Sequence, residues 1–575
     1  FELLTLCQPG SALPGSTPIA PLALLRLTRA TRGTERPREF RICSPASGGV
    51  AFSRPRQRMW AFVALHTAYV LPSRPAGIAP PAFSAPQPPP LLERAPSSPR
   101  MVASTTPATA AETPVKVMIA GGGIGGLCTA LVLRKLGFDV AVYEKASEYK
   151  PFGGPIQIAS NALESLRRID ADVYADILAK STIIGDRING LKDGVSNEWF
   201  ATFDLASPAT KRGQEASVVI DRPVLQDILL ERVGDALTLN AEVVSYDTSA
   251  GKGVTGVLAD GTRVDADLLV GSDGIWSKVR TQLDPSEAPQ LPVWSGYTCF
   301  AAIANCVPDD IADVGYKVFL GPRKYFVSVD VGEGRIQWYA FLNIPAGESP
   351  KMEGAETLEW LKTTQFDGWS PEVHQLIDST PVDAIEQRDL YDRPPQFKWT
   401  SGNVCLLGDA VHPMMPNLGQ GGGMAIEDAL VLGQEMEKAG TRDALPLALR
   451  RYASNRLVRS ASVQGMSRLS SAILFQYNHP TKISAAGVEN TGVKSMITKS
   501  MQGFLQNVAF PLQFEYLFSF PGSLDPNVFA EEGGLPEDGR LPAAREQGEV
   551  AKPGTAEKRL LNGEMGLGEW LSSYW

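Results

Sequence analysis

The chain has 575 residues, 43% of them hydrophobic and 20% charged, with a formal net charge of −9. That apolar content supplies a sizeable core, and the acidic balance argues against nucleic acid as a partner. The six cysteines have no Cys-x-x-Cys spacing and the four histidines no ligand pairing, so neither a metal site nor a disulfide framework is expected.

Residues 1–112 read as a targeting leader. Residues 1–100 contain no Lys and no Asp and are rich in Arg, Pro, Ser and Ala, a composition that cannot build its own core. Met59 is the first methionine, and residues 1–58 are expected to be over-extended translation. The apolar run WAFVALHTAYVL after it is too short to span a bilayer and reads as a signal-peptide core. Thr67-Ala68-Tyr69-Val70-Leu71-Pro72 resembles the cleavage site used by algae with complex red-lineage plastids. The Pro/Ser/Arg-rich stretch beyond it would be the transit peptide of a bipartite leader.

Residues 115–145 read VKVMIAGGGIGGLCTALVLRKLGFDVAVYEK. A short apolar strand (Val117, Met118, Ile119) runs into Gly121, Gly123 and Gly126, spaced G-x-G-x-x-G. A helix follows, ends at Gly137, and gives way to a second strand closing on Glu144, 18 residues past Gly126. This is the dinucleotide-binding arrangement. Gly121 allows the tight turn, Gly123 lets the backbone approach a pyrophosphate, and Gly126 lets helix pack on strand. The free N–H groups at the helix start face the phosphate charge, and Glu144 can accept from ribose hydroxyls.

Further along, DADLLVGSDGIWSKVR (265–280) carries a strand into Gly271-Ser272-Asp273-Gly274. Residues 291–395 contain strand-like runs, VWSGYTCFAAIANCV, YKVFLG, KYFVSVDVG and RIQWYAFLNI, broken by turn residues, so an antiparallel sheet is expected. Alternation groups Tyr325, Val327, Val329 and Val331 on one face, and Ile336, Trp338 and Ala340 on one face of another strand. With Trp294, Tyr297 and Phe300, these could pave a tunnel for a long hydrocarbon, or simply pack on a domain core. In NVCLLGDAVHPMMPNLGQGGGMAIEDALV (403–431) another strand ends at Gly408-Asp409, ahead of His412, Pro416 and the glycines 419–423. An Asp delivered by a strand end suits the ribityl hydroxyls of a flavin, and the bare N–H groups of the glycine run suit an electron-rich flavin carbonyl. His412, lacking a Cys or His neighbour, reads as structural. Residues 461–520 are expected to be helical, with a candidate membrane contact or pocket lid in FLQNVAFPLQFEYLFSF (504–520), and 521–575 to be a loose tail. No uninterrupted apolar run reaches transmembrane length.

These three fingerprints, in this order, resemble those of the flavoprotein monooxygenases of the aromatic-hydroxylase class. The chain departs by carrying Gly423 where that class often has Asn. GPIQIASNAL (154–163), SGYTCF (295–300), QWYAF (337–341) and GQGGGMAIEDAL (419–430) narrow the resemblance to the zeaxanthin epoxidases of photosynthetic eukaryotes, over roughly residues 115–460. Plant members carry a C-terminal forkhead-associated domain, for which residues 521–575 show no clear counterpart.

The resemblance implies an α/β fold. A Rossmann-like FAD-binding domain (115–290 and 396–460) would carry an inserted, mostly antiparallel substrate sheet (291–395) and a C-terminal helical region. It implies FAD held by Gly121, Gly123, Gly125, Gly126, Glu144, Lys145, Arg222 of the segment DRPVLQDIL, Asp273, Gly408, Asp409, Gly419, Gln420, Gly421 and Gly422. The Pro416 loop would lie near the flavin, with Gln157, Tyr297, Phe300 and Trp338 as substrate contacts. NADPH, with ferredoxin as a carrier, would supply electrons, and O₂ would be co-substrate. Oxygen would pass from a flavin hydroperoxide to the ring double bonds of zeaxanthin, in a plastid, at or beside the thylakoid membrane. An alkene has no phenolic proton, so no catalytic base is expected. Two other readings stay open: a hydroxylase of a small aromatic or quinone precursor, and a flavin- or carotenoid-binding protein without turnover.

Overall fold

The computed structural model describes residues 114–149, 154–248, 253–285, 291–475, 477, 482–484, 487–489 and 502–522. The expected leader, and the expected tail beyond residue 522, lie outside these residues.

The strand Lys116–Ala120 stands at the centre of the first sheet. It pairs in parallel with Asp139–Tyr143 on one side and Leu268–Gly271 on the other. Leu237–Thr238, Val404–Leu406 and an antiparallel Thr400–Ser401 complete six strands. A parallel sheet must be covered on both faces, which is why its strands read as continuous apolar runs. The helices Ile124–Lys135 and Gly421–Glu437 pack together against it, closely enough that a Cβ on Gly433 would lie 2.6 Å from Val132.

The second sheet has seven strands. Glu386–Asp392 pairs with Val293–Asn305, followed by Arg335–Leu342, Lys324–Asp330, Val314–Gly321, Ile188–Asp193 and Trp199–Phe203. It is antiparallel except where Val314–Gly321 meets Ile188–Asp193 in parallel. All four strand-like runs expected in 291–395 are strands. The boundaries expected for this layer need correction, because two strands come from the segment assigned to the first domain. Ile188–Asp193 has no apolar alternation, since Asn189, Lys192 and Asp193 are polar, yet all three are buried. Asn189 donates to the Ile184 and Arg187 carbonyls, Lys192 pairs with Glu372, and Asp193 accepts from Tyr477 Oη at 2.6 Å. Tertiary partners, absent from any local window, make this strand possible.

One face of the sheet packs on the helices Gly354–Trp360 and Pro371–Asp378 through Phe300, Phe319, Phe326, Trp338, Leu361 and Leu376. The other faces the 31-residue helix Leu445–Phe475, about 46 Å long, and the segment Leu505–Leu517. That helix crosses the boundary expected at residue 460. The region expected to be mainly helical also contains a short hairpin, Lys482–Ser484 with Gly487–Glu489, in which Ile483 stands opposite Val488.

Candidate functional site

The glycine loop forms the first half of the site. Gly121 has φ +102°, and a Cβ there would lie 2.3 Å from the Ser272 carbonyl oxygen; only glycine fits. A Cβ on Gly126 would strike Gly121 O at 2.0 Å, whereas one on Gly123 would meet nothing within 4 Å. The first and third glycines therefore serve packing, and Gly123 opens onto a cavity. Glu144, Lys145, Ser272, Asp273 and Lys278 line that cavity. Glu144 accepts from the Gly122 N–H at 2.7 Å and the Ala146 N–H at 2.9 Å. Tyr149, not foreseen from the sequence, donates to the Gly122 carbonyl at 2.8 Å. Asp273 accepts from the Lys278 N–H at 2.7 Å and the Val279 N–H at 3.2 Å through Oδ2. Its Oδ1 is buried without a hydrogen-bond partner. Burial raises the Asp273 carboxyl above its ordinary value despite those donors.

The second half is a cavity of about 630 Å³ against the seven-stranded sheet. Every strand contributes: Glu386, Arg388 and Leu390; Cys299 and Ala301; Tyr339 and Phe341; Val329; Tyr316 and Val318; Leu191; and Phe203. Its floor is Pro416 to Gly419 with Gly421 and Gly422, where the helix Gly421–Glu437 begins with bare N–H groups. Its roof is Phe504, Leu505, Ala509, Phe510, Gln513 and Phe514. The roof residues fall in the segment expected to touch membrane or cover a pocket, and here they cover the pocket. Asp409 and Arg222 also face this cavity. Burial raises the Asp409 carboxyl, opposed by the charges of His412 and Arg222. Gln157 lies against Gly419, whose Cβ would sit 2.9 Å from Gln157 Oε1.

Behind the floor lies a buried polar network. Asp428 accepts from the Gly408 N–H at 3.0 Å, sits 2.6 Å from His412 Nε2, and accepts from Arg456 Nε at 2.7 Å. Asn161 donates to Glu427 at 2.6 Å and to Gln420 at 3.1 Å. These bonds hold the turn after Val404–Leu406 and the start of the glycine helix in place.

The two cavities lie along one line of glycine-rich turns, at the ends of the strands Lys116–Ala120, Leu268–Gly271 and Val404–Leu406. A protein-family model, described as FAD binding domain, matches residues 114–466. The chain belongs to the FAD binding domain family. FAD fits what the residues offer: an open approach at Gly123, an unpartnered carboxylate oxygen on Asp273, a carboxylate at Asp409, and bare amides at Gly421 and Gly422.

Among curated proteins, the chain is 48% identical over 379 residues to zeaxanthin epoxidase, chloroplastic, of Solanum lycopersicum. That match covers 63% of this chain and 55% of the relative. The Arabidopsis thaliana protein of the same name is 46% identical over 372 residues, with 62% and 54% covered. The chain thus spans about half the length of the curated relatives it matches. Among solved structures, Klebsiella pneumoniae HpxO complexed with FAD and uric acid is 26% identical at a TM-score of 0.60, covering 71% of this chain and 97% of that one. A salicylate hydroxylase substrate complex, 21% identical at a TM-score of 0.55 and covering 72% and 99%, shares the fold.

Of the residues expected to hold FAD, the structure brings Gly121, Gly123, Glu144, Lys145 and Asp273 to the first cavity, and Arg222, Asp409, Gly419, Gly421 and Gly422 to the second. Gly125 and Gln420 belong elsewhere. Gly125 packs on Leu407 and Ala425, and Gln420 is buried with its amide oxygen on Asn161. Gly408 turns the chain at φ +62° beneath the cavity. At the departure, Gly423, a Cβ would lie 3.2 Å from Ala162 Cβ, a tight contact that a side chain there would have to push aside.

Among the expected substrate contacts, Gln157 lines the cavity, whereas Phe300 and Trp338 do not. Both point to the opposite face of the sheet, where Trp338 stacks on Phe326 and donates to Thr380 at 2.8 Å. Alternation grouped Ile336, Trp338 and Ala340 correctly, but their shared face is the helix-packed one. The cavity takes their neighbours, Tyr339 and Phe341. Tyr297 is on the cavity side, yet it is buried and donates to the Ser471 carbonyl at 3.1 Å rather than lining the space.

Proposed function

We propose that this chain is an FAD-dependent monooxygenase that epoxidises the ring double bonds of zeaxanthin, giving antheraxanthin and then violaxanthin. The observation that carries the reading is the shape and chemistry of the sheet cavity. All seven strands line it, and the sheet that bears it is roughly 29 Å across, six inter-strand steps of about 4.8 Å. It is mostly apolar and ends against the glycine amides. A long, thin hydrocarbon suits such a slot. The curated relatives carry the same activity in their names.

FAD, when bound, supplies the activation of O₂. The residues of the chain position and shield. Gly421 and Gly422 would offer amides to the cofactor, Asp409 and Arg222 in the same cavity would offer a carboxylate and a cation, and Phe341, Val318 and the roof phenylalanines would exclude water.

NADPH delivering electrons through a ferredoxin system, and a plastid location at or beside the thylakoid surface, complete the proposal. The chloroplastic relatives support the plastid location. Hydroxylation of a small aromatic acid is the alternative. It would need a cation to hold a carboxylate; of the two arginines lining the cavity, Arg388 is paired with Glu386, and Arg222 is the one assigned to FAD.

The test is product analysis. The flavin-loaded chain is incubated with zeaxanthin in thylakoid lipid, NADPH, ferredoxin, its reductase and O₂, and masses are read. Stepwise gain of one and then two oxygen atoms is expected. Reduction and reoxidation of flavin without an oxygenated carotenoid would overturn the substrate assignment.

A further inference from the structure

The floor loop between Pro413 and Gly419 is gripped from one side by a single helix face. Gln464, Ser467 and Ser471 project from Leu445–Phe475 at one-turn spacing. Gln464 Nε2 donates to the Pro413 carbonyl at 2.8 Å, and Ser467 Oγ to the Met415 carbonyl at 2.6 Å. Ser471 Oγ donates to Asn417 Oδ1 at 2.8 Å. The chain runs irregularly to Met415 and then makes a single 3-10 turn, Pro416–Leu418, which carries Asn417.

Asn417 has a second partner from a different layer. Its Nδ2 donates to Tyr325 Oη at 3.0 Å. Tyr325 is fully buried in the substrate sheet and stacks on the cavity-lining Phe341 with ring centroids 4.4 Å apart. It also meets Tyr297 edge-on at 6.0 Å, and the Tyr297 hydroxyl returns to the Ser471 carbonyl. Asn417, Tyr325, Tyr297 and Ser471 thus close a ring through the loop, two strands and the helix. Two residues beyond Asn417, Gly419 turns with φ +61° and the bare glycine amides begin.

We infer that Asn417 and Tyr325 are positioning residues: their hydrogen bond sets the Pro416–Gly422 loop against the flavin, and through it the substrate sheet tunes the cofactor. The inference rests on the FAD-binding reading of this loop and not on zeaxanthin being the substrate. Amide N–H groups aimed at the flavin carbonyls favour the electron-rich reduced form. A loop that relaxes by a few tenths of an ångström loses part of that preference.

The experiment measures FAD affinity and the two-electron midpoint potential of the loaded protein. The variants are Tyr325→Phe, which removes only the hydroxyl, and Asn417→Ala. Val327→Ala, a buried change on the same sheet face outside the ring, controls for general loosening. Tyr325→Phe is expected to bind oxidised FAD about as well as the wild type and to hold reduced FAD roughly tenfold less tightly. That corresponds to a midpoint potential about 30 mV more negative. Asn417→Ala should shift it in the same direction, and Val327→Ala should not shift it. Unshifted potentials in both ring variants, with FAD bound, would overturn the inference alone. Equal shifts in Val327→Ala would reduce the ring to ordinary packing and overturn it too. A wild-type chain that retains no FAD would overturn the cofactor reading and this inference with it.

Discussion

Arg459 grips Glu427 with two parallel hydrogen bonds, Nε to Oε2 at 2.6 Å and Nη2 to Oε1 at 2.7 Å, inside the protein. The same guanidinium donates to the carbonyls of Tyr516 at 3.2 Å and Leu517 at 2.8 Å, and Phe520 lies over it at 4.9 Å. One side chain thereby fastens the roof of the cavity to the helix that begins at the flavin floor. Arg459→Ala removes one of two arginines from buried Glu427, leaving Arg456 and Asn161, and should cost no more than about 3 kcal/mol, read as a lowered unfolding midpoint. The roof should loosen with it, read as faster proteolysis around residues 504–520. A variant as stable as the wild type would show that the pair contributes nothing net.

The same cluster predicts an acid limit. Burial alone would raise the Glu427 and Asp428 carboxyls. Arg459, Arg456 and Asn161 around Glu427, and His412 with Arg456 around Asp428, instead hold both below their ordinary values. Folded-state values below the unfolded ones mean stability that is present above about pH 4 and lost as pH falls further. Thermal stability should therefore change little on this account between pH 7 and 5 and fall steeply below about pH 4. Glu427→Gln should flatten that acid limb.

The first two glycines of the first motif should separate fold from cofactor. Gly121→Ala drives a Cβ into the Ser272 carbonyl at a φ that disfavours side chains, so both stability and FAD retention should drop. Gly123 has φ −71° and open space beside it. Gly123→Ala should leave the apo-protein within about 0.5 kcal/mol of the wild type while obstructing the pyrophosphate. Melting of the apo-protein and FAD fluorescence titration, measured on both, check the contrast.

The sheet faces offer a fourth test. Trp338 is 0% exposed on the helix-packed side, so Trp338→Ala should cost about 3–5 kcal/mol without altering which carotenoids bind. Phe341→Ala, on the cavity side, should weaken carotenoid binding. Quenching titrations with ligands of different length would distinguish the two faces; weakened binding in both variants would contradict the assignment.

Phe504 lines the cavity and is 43% exposed, so the proposed thylakoid contact can be tested at this roof residue. Phe504→Asp should reduce co-sedimentation with vesicles of thylakoid lipid composition while preserving FAD content. Undiminished co-sedimentation would remove the roof as the membrane contact.

Much of the cofactor site was legible in the sequence, because its signals are local. Glycines at fixed offsets, short apolar strands and an acid at each strand end all lie within a few turns of one another, and the backbone geometry each demands leaves few alternatives. Alternation likewise identified which sheet residues share a face. Tertiary structure alone decided which face meets the ligand. Parity is a property of one strand, whereas the identity of the layer on either side depends on helices from elsewhere in the chain, and Phe300 and Trp338 fell on the wrong side for that reason. The same holds for Ile188–Asp193, which has no apolar alternation and whose buried Lys192 and Asp193 are satisfied by Glu372 and Tyr477. It holds too for Asn417 and Tyr325, 92 residues apart, whose hydrogen bond exists only because the fold brings loop and sheet within 3.0 Å.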